Sequence, residues 1–128
     1  MSEAAKEIDR AKKALQAAQA LLKESLLEDA LSRAYYAVLH AAKSMLLCKG
    51  IAVASHESVK RLFGFHFIKT NEIDMHFAEI LRWEQDDRML ADYDVAFEPQ
   101  IELVIQRVED ARIFFEMAGS FLQSYPSK

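Results

Sequence analysis

Apolar and polar positions alternate with a period near 3.6 along most of the chain. From Glu3 to Lys23, Ile8, Ala11, Leu15, Ala18 and Leu22 recur at steps of three and four, the seam of an amphipathic helix. Ser2 is placed to cap that helix, and Glu3 complements its dipole. Lys6, Lys12, Lys13 and Lys23 lie largely off the seam and predict a solvated face. A second helix starts at a capping box of Ser25 and Glu28 and runs to about Lys49, with Gly50 as its C-cap glycine. So short a connection predicts a tight antiparallel hairpin. The second helix is rich in small residues (Ala30, Ala34, Ala37, Ala41 and Ala42), which let neighbouring helices approach closely.

A third helix is expected after Ser55, with Glu57 in its first turn and Val59, Leu62 and Phe63 on its apolar side. The stretch Phe65 to Ile68 is a candidate extension of that helix, with Gly64 weakening its continuity. Asn71, with Asp74 three residues on, marks the start of a fourth helix. It carries Ile73, Phe77, Ile80, Leu81 and Trp83 and ends near Met89. The acidic segment Leu90 to Glu98 reads as irregular. Pro99 fits the first position of a last helix, where its missing amide costs nothing. That helix has an apolar stripe of Ile101, Val104, Ile105, Val108, Ala111, Phe115, Ala118 and Leu122. The tail Ser124 to Lys128 is expected to fray. Four long helices and one shorter one predict an all-α fold, an up-and-down four-helix bundle with an additional short helix.

The 128 residues fit one domain, 1–128, long enough for a core of its own. With 3 Gly and 2 Pro there is little turn material for a many-stranded β fold. A formal charge of −4 excludes a generally basic nucleic-acid-coating surface but not a local basic cleft. Cys48 stands alone, so no internal disulfide forms. Together with a charged N-terminus unlike a secretory signal, this predicts a reducing cytoplasm. The longest clean apolar run, Ala34 to Leu39, is far short of a membrane span.

Three pieces of the chain resemble HEPN-domain proteins. They are Ser32 to Ala42 (SRAYYAVLHAA), Ser55-His56 followed by Leu62 to Thr70 (LFGFHFIKT), and Arg88 to Asp94 (RMLADYD). Their order and spacing are similar to the small stand-alone HEPN proteins of bacteria and archaea. The resemblance implies a four-helix bundle with a short extra helix, a homodimer, and a toxin-like role. It also implies a minimal nucleotidyltransferase as partner, RNA or a nucleotide as ligand, metal-independent RNA cleavage and no cofactor. In some such pairs the partner adds AMP to a tyrosine just after the catalytic motif.

The family's motif is an Arg, four to six residues, then His, often with Tyr two residues further on. At the matching place stand Arg88, Asp92 and Tyr93, so Arg and Tyr are present and His is absent. Arg33 with His40 and Arg61 with His66 match the spacing literally but lie elsewhere in the chain, where such matches arise by chance.

Metal-free cleavage needs a group to move protons at the ribose 2′-hydroxyl and a cation for the phosphate. Arg88 suits the second role, because its fork matches phosphate oxygens. Its plainer expected role is a salt bridge to Asp86, Asp87 or Asp92. Asp92 is a weak base and repels phosphate. Tyr93 offers a hydroxyl, a stacking ring or an acceptor for AMP. Its plainer expectation is a ring packed over the loop before the last helix. Arg33, Tyr36 and His40, three and four apart, share one helix face and could line the same cleft as Arg88, supplying the missing imidazole as His40. The alternative is a core-edge His40, with Arg33 paired to Glu28 or Asp29. Tyr35 reads as core. His56 follows a cap and reads as decoration of a helix start. Trp83 and Phe63 to Phe67 read as core or dimer contact. His66 and His76 form no metal-ligand pair and do not combine with Cys48, so no metal is expected.

Overall fold

The computed structural model describes residues 2–125. The helices are α1 (Glu3–Lys23), α2 (Leu27–Cys48), α3 (His56–Phe63), α4 (Met75–Tyr93) and α5 (Ile101–Ser124). Gly64–Ile68 continues α3 as one π-helical turn. The four long helices form the bundle, and α3 with its π turn packs across α2 and α4. Among the described residues there is no strand, and no helix is long and apolar enough to cross a membrane.

The helix ends follow local chemistry, with three departures from the sequence reading. Ser2 caps α1 as expected, its hydroxyl accepting from the Ala5 amide at 3.1 Å. Ser25 does not cap α2: it sits at φ 58°, in the left-handed region. There its amide donates to the Leu22 carbonyl and the Leu26 amide donates to the Leu21 carbonyl, each at 3.0 Å. That is the Schellman closure of α1, so Ser25 ends one helix instead of starting the next. Gly50, at φ 77°, closes α2 in the same way, with Ile51 bonded back to Leu46. Asn71, at φ 62°, likewise closes the preceding segment, and α4 starts only after Asp74, whose carboxylate accepts from the His76 amide at 2.8 Å. Pro99 is buried just ahead of the cap residue Gln100 rather than at the first helical position.

Two further points concern continuity. Gly64 is right-handed and helical, so the chain passes through it into the π turn without a break. Helix α4 runs a full turn beyond Met89, which puts Arg88, Asp92 and Tyr93 on one helix. Of the expected fraying tail, residues 126–128 lie outside the described residues.

The core is centred on α2, where Ala30, Ala34, Ala37, Ala41 and Ala42 are all fully buried, as their size predicts. Phe63, Phe67 and Phe114 fill the space between the π turn and α5, with Phe63 5.2 Å from Phe67 and 5.5 Å from Phe114. The last helix turns Phe114 rather than Phe115 to the centre, and Ile101 and Ile105 face outward instead of joining the stripe. Trp83 is half-buried under the Arg107 guanidinium. Phe65, alone of the phenylalanines at 63, 65 and 67, is exposed.

One buried group breaks the apolar pattern. The Glu84 carboxyl is 1% exposed and has no hydrogen-bond partner. Burial, and then the neighbouring charge of Asp110, push its pKa well above the carboxylate range; Arg107 opposes this and Asp87 adds to it. Arg107 is itself held by Asp87 at 2.5 Å and Asp110 at 2.9 Å. In the unfolded chain Glu84 loses its proton near pH 4.5, whereas in the folded chain it does so only at higher pH. Between those values the folded state binds more protons, so raising the pH favours unfolding. Thermal melts from pH 5 to 8 should therefore show a decline in the wild type that Glu84→Gln reduces. Glu84→Leu should be more stable than the wild type at pH 8 by about 1–3 kcal/mol, the cost of an unpaired buried polar group. Equal pH profiles for wild type and Glu84→Gln would contradict this account.

Candidate functional site

Tyr36 organises the site. It stands on the one face of α2 that the bundle does not cover, with Arg33 a turn before it and His40 a turn after. Its neighbour Tyr35 turns inward and is buried, as read from the sequence. Arg88, on α4, donates through a terminal guanidinium nitrogen to the Tyr36 hydroxyl at 3.1 Å. The same guanidinium lies 5.2 Å from the Tyr35 ring centre, 5.6 Å from Tyr36 and 5.7 Å from Tyr93.

Asp92 sits one turn along α4 and brings a carboxylate oxygen to 2.9 Å from the Arg88 Nε. That nitrogen nonetheless makes no aligned hydrogen bond, so the contact is a charge pair with poor direction. Burial works against the Arg88 charge, but the Tyr36 hydrogen bond, then Tyr36, Asp92 and Tyr93, favour it more strongly and raise its pKa. Of the two expectations for Arg88, the ion pair with Asp92 is formed. Tyr93 is 71% exposed, so its ring is not packed down over the following loop.

On the other side of Tyr36 is a pocket of about 470 Å³, whose polar lining is Arg10, Lys13, Arg33, Tyr36, His40 and His56. The expected grouping of Arg33, Tyr36 and His40 is thus present. Arg88 does not line the pocket and reaches it only through the Tyr36 hydroxyl. Arg33 makes no ion pair among the described residues, rather than the expected pair with Glu28 or Asp29, and its guanidinium lies 5.9 Å from the Tyr36 ring centre. The rings of His40 and His56 stand 6.4 Å and 6.5 Å from that of Tyr36.

His40 is held from α1. Its Nδ1 is 2.6 Å from a carboxylate oxygen of Glu7, and both side chains are largely buried. Burial would raise the Glu7 pKa, but the hydrogen bond from His40 and the charges of His40 and Lys43 outweigh it and lower it. Glu7 is therefore ionised at neutral pH. A carboxylate against Nδ1 fixes the proton on that nitrogen, leaving Nε2 as the atom that gains or loses one. The same division of labour orients imidazoles in carboxylate–histidine catalytic pairs.

Glu7, Arg10, Lys13 and His56 were not legible as site residues. Glu7 is one of several charges in an alternating N-terminus, Lys13 reads as solvated face, and His56 follows an ordinary cap. Only the packing of α1 and α3 around α2 brings them to Tyr36. No group of three or more His, Cys, Asp or Glu side chains among the described residues is arranged to hold a metal ion.

Comparison with known proteins places this chain in a family. The model of the HEPN domain matches residues 4–125. A Methanocaldococcus jannaschii protein named "Putative toxin MJ0142" is 33% identical over 117 residues, covering 91% of this chain and 80% of that protein. A second from the same organism, "Putative toxin MJ0605", is 35% identical over 104 residues, covering 80% of this chain and 78% of that one. The Pyrococcus horikoshii protein "UPF0332 protein PH1297" is 40% identical over 88 residues, covering 69% of this chain and 62% of its own length. With its all-α bundle and a match over nearly its whole length, the chain belongs to the HEPN domain family.

Proposed function

We propose that this HEPN chain is a toxin-like endoribonuclease that cleaves RNA without a metal, with the Glu7–His40 pair moving the proton that the absent motif histidine would move. The observation that carries this reading is the His40 imidazole, fixed through Nδ1 by an ionised carboxylate in a pocket that also holds Tyr36, His56 and three cationic side chains. In the reaction, His40 Nε2 takes the proton of a ribose 2′-hydroxyl. The 2′-oxygen bonds to the adjacent phosphorus, and the bond from phosphorus to the 5′-oxygen breaks. The leaving 5′-oxygen takes the Tyr36 hydroxyl proton, and Arg88 stabilises the phenolate left behind. Arg10, Lys13 and Arg33 offset the phosphate charge. Arg88 thus acts through Tyr36, and Asp92 keeps its guanidinium in place.

The exposed apolar side chains Met89, Leu90, Val95, Ile101 and Ile105 support a homodimer formed at the α4–α5 end. That face adjoins the end of α4 that carries Arg88. The exposed Tyr93 hydroxyl supports AMP transfer to it by a minimal nucleotidyltransferase acting as the toxin's partner in the cytoplasm. One observation favours a second reading, in which the cleft binds a nucleotide or RNA end without cutting it: the motif position holds Asp92, an acid already committed to Arg88.

Incubation of the purified protein with a mixed RNA pool in chelator should yield fragments ending in cyclic phosphate. His40→Ala should slow this by about 100-fold or more, the usual worth of a positioned general base. Arg88→Ala should also lower the rate, while RNA binding by His40→Ala persists. Intact RNA with the wild type, together with Arg33-dependent binding, would replace the nuclease with the binding module. Separately, a nucleotidyltransferase encoded beside this chain, supplied with ATP and Mg²⁺, should add the mass of one AMP to the wild type and none to Tyr93→Phe. Modification of the Tyr93→Phe protein would remove Tyr93 from that role.

A further inference from the structure

A second pocket, of about 620 Å³, lies along the far half of α3 and is lined by Glu57, Lys60, Arg61, Gly64, Phe65, Lys69 and Gln85. Two features set it apart from ordinary surface. Phe65 is 56% exposed, although the phenylalanines two residues either side are fully buried. The helical course through Gly64 accounts for this: Phe63 and Phe67, four residues apart, share the inward face, and the residue between them falls on the opposite side. The exposed ring already holds one cation, the Lys69 ammonium, 5.3 Å from its centre. Lys60 and Arg61 add two more cations, against one carboxylate, Glu57.

This pocket shares helix α3 with the first. His56, at the start of α3, lines the Tyr36 pocket, and Lys60, on the same helix face four residues on, lines the second. The two together gather six of the sixteen lysines and arginines of an acidic chain: Arg10, Lys13 and Arg33 in one, Lys60, Arg61 and Lys69 in the other. Concentrating cations in one track on a protein of net charge −4 indicates a polyanion that follows α3. An exposed aromatic ring amid cations is the arrangement that binds single-stranded nucleic acid, where bases stack and phosphates meet positive charge.

We infer that the Phe65 pocket is a second RNA subsite, in which a base stacks on Phe65 while Lys60, Arg61 and Lys69 hold flanking phosphates of a strand whose scissile link lies in the Tyr36 pocket. From His56 to Phe65 the helix rises about 13 Å, the length of three or four stacked nucleotide steps. The substrate is therefore a single-stranded stretch of several nucleotides, not a dinucleotide or a duplex end. This rests on the reading of the Tyr36 pocket as an RNA site.

The test compares binding of a fluorescent trinucleotide RNA and a single-stranded RNA of about twelve nucleotides. The wild type should prefer the longer RNA. In Phe65→Ala that preference should shrink by about 5- to 100-fold, the range for one base–aromatic stack. The double variant Lys60→Ala, Arg61→Ala should lower the salt dependence of binding the long RNA by about 0.7 in slope per cation removed. Phe65 is exposed, so folding should survive its loss, with the melting temperature as control. An unchanged preference in Phe65→Ala, with Arg33→Ala weakening both RNAs, would overturn the second subsite and leave the first intact. Failure of the wild type to bind either RNA would overturn both. An acidic peptide that binds with the same dependence on Phe65 and Lys60, where RNA does not, would overturn the inference in favour of a protein-docking patch.

Discussion

The close burial of α2 constrains everything else in this protein. Five alanines, all without exposed surface, let α1, α4 and α5 pack onto it with little space between backbones. A helix so enclosed has one free strip, and the sequence places Arg33, Tyr36 and His40 there. The surrounding helices then act at short range on that strip. Glu7 reaches His40 from α1, Arg88 reaches Tyr36 from α4, and His56 approaches from the start of α3. Larger residues on α2 would push these helices outward and lengthen every one of those contacts, so the alanines support the site although none of them touches it.

What could be read from the sequence separates cleanly by range. Helix identity and the α2 core follow from period and residue size, which are local, and both are present. Helix ends were less legible where one residue could serve two neighbouring helices. Ser25 has the residue type and spacing of an N-cap, yet in left-handed geometry it closes α1, because the Leu26-to-Leu21 and Ser25-to-Leu22 bonds satisfy two carbonyls at once. Asn71 tolerates the same conformation and ends its helix for the same reason. Phe65 could not be distinguished from Phe63 and Phe67 by composition; its exposure follows from the helix continuing through Gly64, which puts 63 and 67 on one face and 65 on the other. Among site residues, Arg33, Tyr36 and His40 were legible because one helix presents all three. Glu7, Arg10 and Lys13 belong to another helix, and no spacing along the chain relates them to Tyr36.

Net charge says nothing of where the cations are placed. Several acidic side chains pair with cations outside the pockets: Asp87 and Asp110 with Arg107, Glu109 and Glu116 with Arg112, Asp92 with Arg88. Among the described residues the cations of the two pockets are mostly left without such partners, Lys13 with exposed Asp9 being an exception. A chain can therefore be acidic in total and still offer a basic track along α3.

The missing motif histidine takes on a different meaning in this setting. A histidine at position 92 would stand on α4 beside Arg88, on the side of Tyr36 away from the basic pocket. His40 stands inside that pocket, with its ring orientation set by Glu7 rather than by the run of α4. Proton transfer at a phosphate requires the imidazole and the cations to meet at one place, and the sequence distance between Arg and His is irrelevant once tertiary packing supplies the meeting point. Asp92, which would repel a phosphate if free, is neutralised by the guanidinium it holds. The replacement at 92 thus removes an imidazole from one side of Tyr36 and leaves a carboxylate that steadies Arg88 against the Tyr36 hydroxyl. The pocket on the other side keeps two imidazoles of its own, so the sequence motif and the chemistry it stands for need not occupy the same residues.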